Sequence, residues 1–241
     1  MPDAVLIVGR PSLSRRAPFA NEARAVPVRT RLIDRGEDVA AVVARAVAGT
    51  AAPDDVVCVS ETAVAIAQGR AIAAETIRPS RLAYLLSRRA GALATINQPE
   101  SLQLVIDQVG PWRVVAAAAA HVLGRAAGRR GVFYALLGEA IATIDGYTGT
   151  MPPFERTIVL GPADPDGVAR AIAARCGAHA AVVDANDLGI AKVLGASANV
   201  ARDAVARALR GNPHGNGDEQ TPVVVLKWRG STASPLTERA A

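Results

Sequence analysis

Apolar positions along the chain recur in two rhythms. Residues 56–60 (Val-Val-Cys-Val-Ser) and 223–227 (Val-Val-Val-Leu-Lys) are unbroken apolar runs of strand length, the pattern of strands covered on both faces. Residues 4–8, 156–160 and 180–183 read as strands as well. Residues 26–33 set Val26, Val28, Thr30 and Leu32 against Arg29 and Arg31, which predicts a strand with one solvated face. The helical rhythm is clearest after Gly36-Glu37-Asp38, where Val39, Val42, Val43, Ala46 and Val47 share a stripe and the acids suit the first turn. Residues 80–89 predict a helix through Leu82, Leu85 and Leu86. Residues 99–109 predict another, with Pro99 near its first turn. Asp164-Pro165-Asp166-Gly167 caps a helix through Val168, Ile172 and Ala173, and residues 199–209 form one more.

Some segments fit both rhythms or neither. Residues 61–69 continue a strand or begin a helix, and the alanine-rich residues 112–120 fit a strand or a buried helix. Residues 132–136 and 139–144 read as two strands joined by a turn. Residues 11–21 read as a loop and 230–241 as a disordered polar tail. The expected fold is α/β with mixed sheets and hairpins, not the steady alternation of a doubly wound sheet. Residues 1–229 are expected to form one unit of two interleaved lobes, dividing near residue 130, with 230–241 as a flexible end.

Composition narrows the class. The chain has 241 residues, half of them hydrophobic and only 3% aromatic, so its core is built from small aliphatic side chains. A formal charge of +5, carried mostly by arginine, suits phosphorylated small molecules or nucleic acid. No basic run is interleaved with aromatics, which argues against nucleic acid. Cys58 and Cys176 read as reduced thiols of a cytoplasmic protein. His121, His179 and His214 have no zinc-ligand spacing. Residues 114–123 are apolar but too short for a membrane span.

Candidate chemistry gathers where acids and glycines meet strand ends. Val183-Asp-Ala-Asn-Asp-Leu-Gly189 closes an apolar strand on an acidic turn. His214-Gly-Asn-Gly-Asp-Glu-Gln-Thr-Pro222 runs straight into another strand. Carboxylates hold hard cations, and glycine lets backbone N–H groups approach phosphate oxygens. Neither segment is a P-loop or a dinucleotide fingerprint. Asp184 and Asp187, with Asn186, are the stronger acid cluster; Ile144-Asp145-Gly146 is a plainer turn. Asp164-Pro-Asp-Gly167 lacks the other ligands of a calcium loop and reads as a cap.

Taken in order, these pieces resemble the coenzyme F420-0:L-glutamate (γ-glutamyl) ligases. The resemblance rests on Thr30-Arg-Leu-Ile-Asp-Arg-Gly-Glu-Asp38, Asp55-Val-Val-Cys-Val-Ser-Glu-Thr62 and Gln68-Gly-Arg70. It continues through Ala142-Thr-Ile-Asp145, Gly161-Pro-Ala-Asp-Pro-Asp-Gly167, Val183-Asp184 and the loop from Gly215 to Pro222. Val-Asp-Ala-Asn-Asp-Leu-Gly and Asp-Glu-Gln-Thr-Pro are closest to a divergent branch of that family. The resemblance implies a two-lobed fold and an intertwined homodimer. It implies GTP (or ATP) with Mg or Mn, and an amide bond between a small-molecule carboxylate and an amino-acid amine such as that of L-glutamate. It puts metal-binding acids at Asp145 and Asp184 and a further metal contact at Asn216, with Asn186 or Asp187 able to replace a missing hydroxyl. It puts nucleotide contacts at Thr30, Arg31, Leu32 and Ile33, at Glu61 and Thr62, and on the loop from His214 to Thr221, with Gly215, Asn216, Gly217, Asp218, Gln220 and Thr221 named in it. Asp218 or Glu219 is expected to orient or deprotonate the incoming ammonium. Arg70, Arg129 and Arg130 are candidates to hold a substrate anion.

Three departures bear on this expectation. Ile66 stands where the ligases tend to carry a nucleotide-contacting lysine, and Ala185 where they carry threonine. Leu188-Gly-Ile-Ala-Lys-Val-Leu-Gly195 replaces a Gly-Arg segment. The alternative is a catalytically degenerate homologue that binds nucleotide or a partner protein.

Overall fold

The computed structural model describes residues 23–90, 95–129, 131–142, 144–145, 154, 156–215 and 219–228. The strand expected at 4–8, the loop at 11–21 and the tail at 230–241 lie outside them. The larger sheet has the order β1 (Ala23–Val28), β8 (Val223–Trp228), β2 (Val56–Ser60), β6 (His179–Ala185), β7 (Ala191–Ala196). Only β2 and β6 run parallel; the other neighbours are antiparallel. The unbroken apolar runs have their physical reason here, since both faces of the central strands are covered. Val57, Val59, Ala180, Val182, Val223 and Val225 point to one face, against α1 (Val39–Val47), α2 (Glu61–Ala67) and α7 (Pro165–Cys176). Val56, Cys58, Ala181, Val183, Val224 and Leu226 point to the other, against Val205 and Leu209 in and beside α8 (Arg202–Ala208).

A second, three-stranded sheet has the order β3 (Ala71–Ala73), β5 (Thr157–Leu160), β4 (Ile144–Asp145). Its core joins Ile144 and Ile158 to α3 (Arg81–Ser87), α4 (Pro99–Val109), α5 (Pro111–Ala126) and α6 (Val132–Ala142).

Several sequence expectations need correction. The strand expected at 26–33 ends at Val28, because beyond Val223 the neighbouring chain leaves the ladder and Thr30 N–H bonds only to Gln220 O, at 3.0 Å. Pro27 is tolerated because β1 is an edge strand. The two strands expected at 132–144 are one helix, α6, followed by a two-residue strand. Residues 61–67 of the ambiguous 61–69 segment form the helix α2, 68–69 turn out of it, and 112–120 belong to α5. That helix is not buried all round: Trp112 is 83% exposed, and Val114 and Ala117 carry its buried face. In α3 the buried positions are Ala83 and Ser87, while Leu85 is exposed. Asp38 caps α1 from outside its first turn, its carboxylate accepting from Ala41 N–H at 3.1 Å. The strands β3 and β7 carry too little apolar signal to have been expected.

The cap expected at Asp164 is present, with its carboxylate accepting from Gly167 N–H at 2.9 Å. The start of α7 then packs directly on β7. A Cβ added at Gly195 would meet Pro165 C at 2.2 Å and Asp166 N at 2.4 Å, so only glycine fits. Cys58 and Cys176 are free thiols, and burial pushes both up from the usual thiol range. Among the described residues, no helix is long and apolar enough to cross a membrane.

Candidate active site

The sheet registers bring four sequence-distant segments to one end of the larger sheet. Val28 pairs with Val223, Val59 also pairs with Val223, and Ser60 pairs with Val183. The ends of β1, β2 and β6 and the start of β8 therefore lie side by side. Two backbone bonds tie the junctions together: Thr30 N–H to Gln220 O at 3.0 Å, and Ser60 N–H to Pro222 O at 2.9 Å. Thr30–Ile33, Glu61–Thr62, Asp184–Asp187 and residues 219–222 thus lie at the same end of the larger sheet.

Each segment offers something different. Thr30 is buried, its hydroxyl donating to Arg31 O at 2.7 Å, and Ile33 belongs to the core. Leu32 and Arg31 face solvent, and Arg31 is paired with Glu37. That guanidinium holds the Glu37 carboxyl below its usual range. Glu61 and Thr62 open α2 and are half-buried. Ile66 is buried among the apolar residues of that helix.

The β6–β7 turn carries the acids. Asp184 pairs across the ladder with Lys192. Its carboxyl is raised above the usual range by burial, and Lys192 opposes that only in part. Asn186 Oδ1 accepts from Leu188 N–H at 3.0 Å and Ile190 N–H at 3.2 Å, an Asx-type closure of the turn. Asp187 Oδ1 accepts from Asn212 Nδ2 at 2.6 Å, which ties this turn to the loop after α8. Leu188 and Ile190 stand exposed at the turn's tip.

His214 and Thr221 close the glycine-containing loop. Thr221 Oγ1 donates to His214 O at 2.6 Å, and His214 Nδ1 lies 3.2 Å from Thr221 O. Gly215 takes a left-handed turn, φ 73°, and its N–H donates to Asn212 O at 3.0 Å. A Cβ there would come within 2.7 Å of the Glu219 carboxyl carbon. Gln220 is also left-handed, φ 54°, an uncommon backbone for a non-glycine residue at the point where its carbonyl meets Thr30. Asn216, Gly217 and Asp218 lie outside the described residues, as do Gly146 and Arg130.

Asp145 lies on β4 of the smaller sheet, opposite Val159. Arg70 is a structural residue here: its Nε donates to Gly161 O, and its carbonyl accepts from Leu160 N–H at 2.9 Å. Arg129 is exposed. As a cation ligand Asp184 offers a partly desolvated carboxyl group, with Lys192 opposite it on the neighbouring strand. A set of three ligating side chains is not gathered among the described residues. One chain's described residues therefore do not complete a cation site.

Sequence reasoning missed the structural role of Gln68. Gln68 exchanges a pair of hydrogen bonds with the backbone of Ala163, and nothing local in the sequence signals a partner 95 residues away. His214, expected to open a nucleotide-contacting loop, also fastens that loop to Thr221.

The family model for F420-0:gamma-glutamyl ligase matches residues 27–187. The chain belongs to this family. The match includes Thr30–Ile33, Glu61–Thr62, Asp145 and Asp184, and ends at Asp187 before the 214–222 loop. None of the curated proteins compared with the chain matches it. Membership in a ligase family agrees with the fold, a mixed α/β structure with a mixed five-stranded sheet.

Proposed function

We propose that this protein is a nucleotide-dependent amide-bond-forming ligase that joins a small-molecule carboxylate to an amino-acid amine such as that of L-glutamate. The observation that carries this reading is the convergence of the Thr30, Glu61, Asp184 and His214–Thr221 segments at one sheet end, in a chain of the γ-glutamyl ligase family.

A carboxylate resists attack by an amine because its own charge makes it a poor electrophile. Transfer of the γ-phosphoryl group of GTP or ATP to the carboxylate oxygen forms an acyl phosphate and releases the nucleoside diphosphate. The amine then attacks the acyl carbon, the C–O bond to phosphate breaks, and the products are an amide and inorganic phosphate. Little covalent chemistry falls to the protein in such transfers; it positions the reactants and stabilises charge. Arg31 and Leu32, beyond the end of β1, and Glu61 and Thr62, at the start of α2, frame the nucleotide. On the same reading the loop from His214 to Thr221 contacts the nucleotide as well. On this reading Asp218 or Glu219 orients the incoming amine and takes its ammonium proton. Asp184 is the acid to which the electrostatics of phosphoryl transfer are assigned. Dependence on Mg or Mn and assembly as a homodimer are part of the same reading.

The test is release of inorganic phosphate from GTP or ATP in a matrix of carboxylates and amines, with Mg or Mn present. Release that requires both an acid and an amine supports the ligase. Nucleotide hydrolysis indifferent to both points to a different chemistry, and no turnover with any pair favours the degenerate homologue.

A further inference from the structure

The helix α5 packs into the core of the smaller sheet through Val114 and Ala117 and leaves its opposite side in water. That side is apolar. Trp112, Val115, Ala119, Val122 and Leu123 are all exposed, Leu123 by 71% and Val122 by 67%. At the helical repeat they share one stripe, roughly a third of the circumference of a helix ~24 Å long. The same rotation puts Arg113 on one side of the stripe and Arg125 on the other, and both are exposed. Charge on this part of the chain has a single sign. From Gly110 to Gly138 the sequence carries Arg113, Arg125, Arg129 and Arg130 and no acid; Asp107 and Glu139 are the nearest. A contiguous apolar stripe rimmed by charge marks a surface that something covers.

We infer that the exposed face of α5 docks on an anionic lipid surface, independently of the ligase reading. Too short and too little apolar to cross a bilayer, the helix lies along it. Trp112, Val115, Val122 and Leu123 enter the boundary of the acyl chains. Arg113 and Arg125 lay their apolar stems beside the stripe and reach lipid phosphates with their guanidinium groups. Charge selects this occupant over a second copy of the chain. Two such helices paired face to face bring arginine beside arginine, with no acid on the face to separate them. The lack of polar groups selects it over a protein partner. Protein interfaces spread hydrogen bonds through the contact, whereas between its two arginines this stripe offers only the Trp112 indole N–H. Hydrocarbon asks for no hydrogen bonds, and an indole, apolar in body and polar at one edge, suits the boundary with the headgroups.

The test is co-sedimentation of the full chain with vesicles of phosphatidylcholine alone and of phosphatidylcholine with an equal part of phosphatidylglycerol. The protein should sediment with the mixed vesicles, far less with phosphatidylcholine, and less as salt rises. Tryptophan emission should shift to the blue on binding, and Trp112→Phe should remove that shift although Trp228 remains. Val122→Gln with Leu123→Gln leaves the net charge unchanged, at exposed positions and with a residue that suits a helix. This double variant should keep the wild-type melting temperature and bind the mixed vesicles about tenfold more weakly or worse. Arg113→Gln should weaken binding roughly fivefold on the mixed vesicles and leave phosphatidylcholine unaffected. Binding that survives the double glutamine variant unchanged puts the contact on another basic surface and overturns docking through α5. Absence of binding to the mixed vesicles overturns it too. Self-association of the wild type that the double variant abolishes would then assign the stripe to a second copy, and a protein that stays monomeric would leave it to an acidic protein partner.

Discussion

Gln68 and Ala163 exchange two hydrogen bonds, Gln68 Nε2 to Ala163 O at 2.8 Å and Ala163 N–H to Gln68 Oε1 at 2.7 Å. One side-chain amide thus stands in for a strand partner and clamps the loop at 161–164 to the end of α2. Arg70 adds its bond to Gly161 O beside it. Two of the chain's family-like segments are therefore joined for a structural reason. Gln68→Ala should cost about 1 kcal/mol, because an exposed pair of neutral bonds is partly replaced by water. Its specific mark is faster hydrogen exchange at the Ala163 amide; unchanged protection there would show that the clamp is not formed in solution.

Gly195 meets the backbone of Pro165 and Asp166 where α7 lands on β7. Asp166 completes that junction, its Oδ1 accepting from Ala196 N–H at 2.8 Å and from Arg202 Nη2 at 2.5 Å. A methyl group at 195 cannot be accommodated by a side-chain shift, since the atoms in the way are main chain. Gly195→Ala should destabilise the fold by about 1–3 kcal/mol, the scale of overpacking. Denaturant melts read this directly, and a wild-type midpoint would refute the close approach.

Asp184 should show opposite effects on stability and turnover. Burial raises its carboxyl above the ordinary aspartate value, and Lys192 only partly compensates. The group's contribution to stability is therefore complete below the unfolded-state pKa and is lost as pH rises through the folded-state value. Asp184→Asn removes a desolvated charge, so it should melt higher than wild type at pH 7, with the gap closing in acid. The same change should lower turnover on the order of a hundredfold, as loss of a transition-state electrostatic element does. A variant that is less stable at pH 7, or as active as wild type, would contradict this assignment.

Gly215 is constrained twice, by a left-handed φ and by the Glu219 carboxylate above it. Gly215→Ala should cost about 1–2 kcal/mol for the backbone alone. The side-chain conflict is with a flexible carboxylate, so Glu219→Ala in the same chain should relieve only that part. A double-mutant cycle separates the two. Zero coupling between positions 215 and 219 would mean that the carboxylate does not rest on this glycine.

The fold was legible where one physical signal dominated. The cores of β2 and β8 read as apolar runs because both their faces are covered, and α1 reads from evenly spaced valines. It failed where the signal lacked a period. Val132–Ala142 is apolar on most sides, and the alanines of α5 suit either rhythm. Alternation through Arg29–Leu32 mimics a strand, but a strand also needs a partner, and the ladder stops at Val28. At the site, the acids and the glycine loop announce themselves by composition. Their convergence does not, because it depends on β8 inserting between β1 and β2 from the far end of the chain.

The most direct measurement is calorimetric titration of the protein with GTP and with ATP, each with and without Mg or Mn, repeated on Asp184→Asn. Saturable, metal-dependent binding of at least one nucleotide, weakened in the variant, is the predicted result. Absence of binding by either nucleotide under all of these conditions would contradict a nucleotide site at this sheet end.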